Sequence, residues 1–262
     1  MLKWPARLAT PFFLAGLALS SACAAPTPKV PRVTQHEWTD ARRALAELRR
    51  RVPTKPFVEI VHVSMREPNT GRVLQARGAI AIDPHRAMRL VLLGPGGATA
   101  LDVWVTEDAW RFAVPALNVV RHSKPGDTSA DAAAGFPIEF FRWWFLEPLD
   151  GRLLYAEKSH DRKDPILFRT FVLANGENTI TLKALYGPSR RAFLASRRDM
   201  RTRGVDHLLW GAHGFEPGPG ESATYKQGKS GFEVEIGVEE ISADAPDVTA
   251  FLDPDAKGGA SL

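Results

Sequence analysis

Cysteine is almost missing from this chain. Cys23 is the only one among 262 residues, so no disulfide can form within it and no thiolate cluster can hold zinc. An excess of charge of one sign is missing as well. There are 34 basic and 30 acidic side chains, a net charge of +4, which is not the balance of a nucleic-acid-binding protein. The apolar run Leu8–Leu19 falls short of the ~20 residues that a membrane-spanning helix needs. The chain also lacks the Gly-x-Ser-x-Gly elbow of serine hydrolases and the His-Glu-x-x-His spacing of zinc peptidases. With no nucleophile, metal or cofactor constellation, the expectation is a protein without catalytic residues, metal ligands or cofactors.

What the N-terminus does have is a targeting pattern. Lys3 and Arg7 precede the apolar run, and the small residues Ser20, Ser21 and Ala22 precede Cys23. This arrangement reads as a secretory signal over residues 1–22. A lone cysteine after small residues resembles the lipobox of bacterial lipoproteins, in which the signal is cleaved before the cysteine and its thiol and new amino group are acylated. Ser20 stands where that pattern usually has leucine. An ordinary signal peptide with an incidental Cys23 is the alternative. Two or three acyl chains would anchor the chain firmly, at ~0.8 kcal/mol per buried CH₂. Removing Lys3 and Arg7 with the signal leaves 32 basic against 30 acidic residues. Ala24 follows the cysteine, and in enterobacterial sorting a residue other than Asp there permits transport to the outer membrane. Residues 23–33 are Pro-rich and read as a tether. Residues 34–252 are expected to form the domain, and 253–262 a flexible tail.

Inside the domain, hydrophobic periodicity changes along the chain. Residues 35–51, QHEWTDARRALAELRRR, place Trp38, Ala41, Leu45 and Leu48 at three- and four-residue intervals, which predicts an amphipathic helix ended by Pro53 and Pro56. From Phe57 the period becomes two. Strands are predicted at 57–65, 73–82, 87–93, 99–105 and 110–115, and again at 151–157, 166–173, 178–186, 190–199, 205–213, 222–227 and 232–242. Turn signals such as Pro68-Asn-Thr-Gly71, Asp83-Pro-His85 and Asn175-Gly176 separate them. Residues 122–135 form a polar break. The fold class that follows is mainly β (α+β): a strongly curved antiparallel sheet, or unclosed barrel, of about eleven strands, with an N-terminal helix and a helical lid insertion.

The insertion is FPIEFFRWWFLEPL, residues 136–149. Pro137 suits a first helical turn and Pro148 stops the helix. Phe140, Phe141, Trp143, Trp144 and Phe145 cover nearly every face, so the segment must be buried on most sides. Two readings stay open. The aromatics fill the core under a curved sheet, or they lid an apolar cavity that Trp104, Trp110, Phe112, Phe168 and Phe171 also line.

Other motifs have plainer readings. ATYKQGKS (223–230) matches a relaxed phosphate-loop pattern but runs into a strand rather than a helix, so Gly228–Gly231 is expected to be a hairpin turn. His207 and His213 are read as ordinary histidines, and Glu157, Asp161 and Asp164 as part of a solvated loop. Arg190, Arg191, Arg197, Arg198, Arg201 and Arg203 form either a solvated hairpin or a basic edge able to meet lipid phosphates or an acidic partner.

Three pieces taken together resemble the lipoprotein-localisation carriers of Gram-negative bacteria, the LolA/LolB-like family. They are the helix with Trp38, Leu45 and Leu48 leading into Phe57, the run ARGAIAIDPHRAMRLVLLGPGGATALDVWV (76–105), and the ending EEISADAPDVTAFLDPD (239–255). The resemblance implies an unclosed barrel with an α-helical lid over an apolar cavity, no enzymatic centre, and a place in the cell envelope, lipid-anchored at the outer membrane and facing the periplasm. The expected function is to bind or transfer an acyl-bearing ligand, a lipid or lipoprotein. The alternative is a structural or interaction lipoprotein, accessory to an envelope complex, without lipid cargo. Expected partners are the membrane through the acyl chains, a lipid or lipoprotein ligand and envelope proteins, but no nucleic acid.

Overall fold

The computed structural model describes residues 33–123, 138–160, 167–186, 191–200, 203–211, 216–242 and 244–255. The signal region and Cys23 lie outside them. Helix α1 spans Gln35–Arg49 and buries Ala41, Leu45 and Leu48, the expected stripe, with Trp38 half-buried. It ends two residues before the predicted boundary.

Thirteen strands follow: β1 Phe57–Arg66, β2 Val73–Asp83, β3 Ala87–Leu93, β4 Thr99–Thr106, β5 Trp110–Val114, β6 Val119–His122, β7 Arg152–His160, β8 Leu167–Asn175, β9 Asn178–Tyr186, β10 Arg191–Asp199, β11 Val205–Gly211, β12 Ser222–Lys226 and β13 Glu233–Ser242. They form one antiparallel sheet in the order β6-β5-β4-β3-β2-β1-β13-β12-β11-β10-β9-β8-β7. The sheet is not closed, because β6 and β7 are its two edges. The predicted count of about eleven was low. Four-residue β6 lies between the predicted strand 110–115 and the polar break from His122 and had no predicted element, because an edge strand this short has too few residues for alternation to show.

The topology explains where the insertion goes. The chain meanders outward from β1 to β6, leaves the sheet, and re-enters at the opposite edge as β7. It then meanders back until β13 pairs with β1. The β6–β7 connection therefore links the two far edges of the sheet. It carries α2, Ile138–Phe141, which continues as a single π turn, Arg142–Leu146. Residues of this segment touch both halves of the sheet. Arg142 reaches the end of β4, while Phe140 stacks on Tyr225 of β12 and Trp144 meets Trp210 of β11 edge-on. One short segment can touch strands so far apart in sheet order only if the sheet curves around it.

Alternation then sorts the side chains. Val61 and Val63 of β1, Leu101, Val103 and Val105 of β4, Phe193 and Ala195 of β10, Leu208 and Trp210 of β11, and Val234 and Ile236 of β13 share one core with α1 and the insertion. Glycines permit the close approaches that this curvature needs. A Cβ at Gly78 would lie 2.0 Å from the Val91 carbonyl oxygen, and one at Gly228 would lie 1.9 Å from that of Val205. Gly228–Gly231 is the predicted hairpin turn: Gly231 donates to Gln227 O at 2.8 Å and β13 follows, with no helix after it.

The C-terminal segment is docked. A 3₁₀ turn, Val248–Phe251, places the Phe251 carbonyl 2.9 Å from the Trp104 indole nitrogen, which donates to it. Asp255 accepts from Arg111 at 2.8 Å and lies 3.3 Å from His122. The chain is thus held past residue 253, where a flexible tail was expected to begin.

A lidded concave face as the candidate functional site

The lid is built almost entirely from buried side chains. Ile138, Phe140, Phe141, Trp143, Trp144, Phe145 and Leu146 all lose nearly all contact with solvent. Phe140 lies over Tyr225 with ring centroids 4.0 Å apart and planes 16° from parallel. Trp144 meets Trp210 at 4.5 Å and 68°, and Trp210 stacks on Phe193 at 5.0 Å. Such aromatic pairs add about 0.5–1.5 kcal/mol each beyond the area they bury. A segment that is apolar all round has no face left for solvent, so it sinks into the concave side of the sheet.

Its few polar groups act as clamps at both ends. At the N-terminal end, Glu139 pairs with Arg142. Arg197 of β10 donates to the Glu139 carbonyl at 3.1 Å and pairs with its carboxylate at 3.5 Å. Arg142 also donates to Thr106 O at 3.0 Å. At the C-terminal end, Arg49 of α1 donates to the carbonyls of Leu149 and Gly151, the latter at 2.6 Å. Asn175 at the end of β8 donates to the Glu147 carboxylate at 3.3 Å.

In the lid and beneath it some polar groups are left poorly served. The Trp143 Nε1 and Tyr225 hydroxyl are buried without a hydrogen-bond partner. The Tyr225 hydroxyl lies near Asp206 outside hydrogen-bond geometry, and burial raises the pKa of both groups. Each unsatisfied buried polar group costs about 1–3 kcal/mol.

A second polar feature went unnoticed in the sequence. Glu59 of β1 is 4 % exposed and points to the concave side with Val61 and Val63. It lines a cavity of about 10 Å³ together with Trp144, Phe145, Glu216, Pro217, Ala223, Ile236 and Val238. Glu59 makes no hydrogen bond or ion pair among the described residues. Burial, reinforced by the nearby Glu216 charge, pushes its pKa to about 8. Burial alone raises Glu216 to about 7. The signal was available in FVEIVHV, where Glu59 takes a place in the same alternating set as Phe57, Val61 and Val63.

The structure sorts the other candidate residues. Trp110 and Phe112 lie on the concave side, in or against the core, as does Phe171. Trp104 does not. Leu101, Val103 and Val105 take the inward positions of β4, so Trp104 faces outward beneath the C-terminal turn. It sits beside an ion network in which Arg89 grips Asp102 through two bonds of 2.9 and 3.0 Å and Arg111 adds a third at 3.1 Å. Phe168 alternates away from Phe171 and is also outside. Among the arginines, Arg198 and Arg203 are exposed and Arg191 opens β10. Arg197 instead points inward to the lid, and β10 is an interior strand rather than a sheet edge. Cys23, Arg190, Arg201 and His213 lie outside the described residues, and His207 is exposed. No group of three or more metal-ligating side chains occurs among the described residues.

No protein-family model matches the sequence, and a search of curated proteins finds no significant relative. Solved structures do match. A LolA superfamily protein from Nitrosomonas europaea superposes with a TM-score of 0.52 at 10% identity, covering 80% of this chain and 97% of that one. A DUF1329 family protein from Desulfovibrio piger gives 0.55 at 12% identity, over 83% and 98%. The chain has a LolA/LolB-like fold. A putative outer membrane lipoprotein-sorting protein domain from Vibrio parahaemolyticus aligns at 0.49 and 10% identity, over 80% and 97%. In this LolA/LolB-like fold the unclosed sheet and the insertion carrying α2 agree with the architecture that the sequence resemblance implied.

Proposed function

We propose that the protein is a lipid-anchored lipoprotein of the bacterial cell envelope, attached through acylated Cys23 at the outer membrane and facing the periplasm. Its LolA/LolB-like domain binds or passes on an acyl-bearing molecule on the concave face and catalyses no reaction. One observation carries this reading. The apolar concave face is covered by a single short segment, held by polar clamps at its two ends, with a buried polar atom in the segment (Trp143) and one under it (Tyr225) that the closed packing leaves without partners. A cover of this kind is a discrete unit that can shift when a ligand enters. The fold likeness supports the same reading.

A second reading is favoured by a specific feature: the lid aromatics pack tightly, and the cavity beside them holds only about 10 Å³. On that reading the protein is an interaction lipoprotein without lipid cargo.

The two differ in what travels with the protein. The compact unit spans His36–Leu262, so a chain beginning at residue 30 keeps all of it and loses the anchor. Such a chain is purified without detergent, extracted with organic solvent and analysed by mass spectrometry. A stoichiometric acyl lipid is expected. A stable, lipid-free protein would replace the carrier reading with the interaction reading.

A further inference from the structure

Glu216 stands between a surface groove and the small cavity that Glu59 also lines. The groove, about 480 Å³, is lined by Arg51, Pro53, Pro56, Phe57, Gly218 and Ile241 among others, and Glu216 and Pro217 line both it and the small cavity behind. Three features of the inner cavity point to a ligand. Glu59 is a carboxyl group more than nine-tenths buried, without a hydrogen bond or ion pair among the described residues, and it faces the cavity. The other described residues on its walls are Trp144, Phe145, Pro217, Ala223, Ile236 and Val238, none of them charged. The space, about 10 Å³, is close to the ~10–15 Å³ that one water-sized group requires.

We propose that this cavity is a binding site for a primary ammonium group borne on an aliphatic stem, with the ammonium between Glu59 and Glu216 and the stem in the groove outside.

The chemistry of the walls selects this class. An ammonium presents three N–H donors as a compact point charge, which suits two carboxylates in a space of one small group. A trimethylammonium or a guanidinium is too large for it. The aromatic walls Trp144 and Phe145 favour a cation further. A hard divalent cation is a poorer match, since calcium takes six to eight oxygen ligands and the cavity supplies side-chain oxygens from two residues. Arg51 and Lys55 sit on the outer groove and are exposed. Neither lowers the pKa of Glu59 or Glu216, so among the described residues no cation already fills the role. Among the described residues, Glu59 and Glu216 are the only titratable groups lining the inner cavity. Glu59 keeps its proton to about pH 8, so an ammonium entering near neutral pH displaces a proton, and binding releases it to solvent. The inference stands whether or not the concave face also carries an acyl chain.

The test is isothermal titration calorimetry of the mature chain with n-octylammonium at pH 7, in two buffers of different ionisation enthalpy. Saturable binding at one site is expected, with release of about one proton. Octyltrimethylammonium and octanoate should bind at least tenfold more weakly. Glu59→Gln and, separately, Glu216→Gln should each weaken octylammonium at least tenfold while keeping the wild-type circular dichroism spectrum. Failure of octylammonium to bind, equal binding by the trimethyl compound, or equal binding by both variants would overturn the site. Given specific binding, flotation with phosphatidylethanolamine or phosphatidylcholine vesicles identifies the source. Preference for phosphatidylethanolamine that Glu59→Gln removes assigns a lipid headgroup, and indifference assigns a free amine; both support the site. The co-purified-lipid experiment is separate, so either idea can fail without the other.

Discussion

Glu59→Gln should stabilise the protein, and by an amount that grows with pH. The folded carboxyl keeps its proton to about pH 8, against 4.5 for a free glutamate. Between these values the folded state binds more protons than the unfolded chain. The contribution of Glu59 is therefore fully present below pH 4.5, declines as pH rises, and is lost above 8. The full loss is about 5 kcal/mol, from 1.36 kcal/mol for each of about 3.5 pH units. At pH 7 it is already about 3 kcal/mol, because the unfolded group ionised some 2.5 units lower. Glutamine has nearly the same shape and no charge, so the variant lacks this decline. Urea unfolding followed by tryptophan fluorescence measures both proteins from pH 4.5 to 8.5. The stability difference should rise by about 3 kcal/mol between pH 4.5 and 7, with similar m-values. For a domain of this size that corresponds to a shift of about 6–12 °C in melting temperature. In a Glu216→Gln background the rise should begin at the same pH but level off at a lower pH and a smaller plateau, since removing the Glu216 charge lowers the Glu59 pKa. A difference that stays flat across this range would refute the placement of Glu59 in a desolvated site.

The remaining predictions concern the lid and its supports. Glu139→Gln should cost about 1–3 kcal/mol, because it leaves Arg197 and Arg142 short of a charged partner; hydrogen exchange should rise first across 138–146, and a double-mutant cycle with Arg197→Met should show coupling. Trp144→Ala should cost about 3–5 kcal/mol in urea unfolding, through the cavity left against Trp210. Asp102→Asn should cost about 3 kcal/mol, since Arg89 and Arg111 would face each other without the carboxylate, and should speed proteolysis near Phe251. Gly228→Ala should cost at least about 1–3 kcal/mol, because its Cβ has no room beside the Val205 carbonyl; thermal melting measures it.

The buried positions of Trp143 and Trp144 also bear on how the lid is tested. Aspartate at either would place a carboxylate in the core, and loss of binding in such a variant would report unfolding. Conservative changes at the clamps Glu139, Arg197 and Arg49 alter how the lid is held while leaving the aromatic packing in place.

The pattern of residues along the chain determined most of the elements. Strands such as β3, β9 and β13 were legible because one face is apolar and the other polar, and a period of two leaves a local trace. The stripe of Leu45 and Leu48 did the same for α1, and the aromatics of 138–146 required burial wherever the segment went. Some misplacements had local remedies: the alternation that puts Leu101, Val103 and Val105 inside also puts Trp104 outside, and the inward set Phe193, Ala195 and Arg197 already carries its arginine toward the core. Other features had no local trace. That β13 returns to β1, that the insertion links the two sheet edges, that Arg197 meets Glu139 and that Glu216 faces Glu59 are pairings across long stretches of chain. Hydrophobic burial acts on each residue by itself and can be read one position at a time. A clamp or a shared cavity exists only when two distant segments arrive together, and the curvature of the sheet decides which ones do.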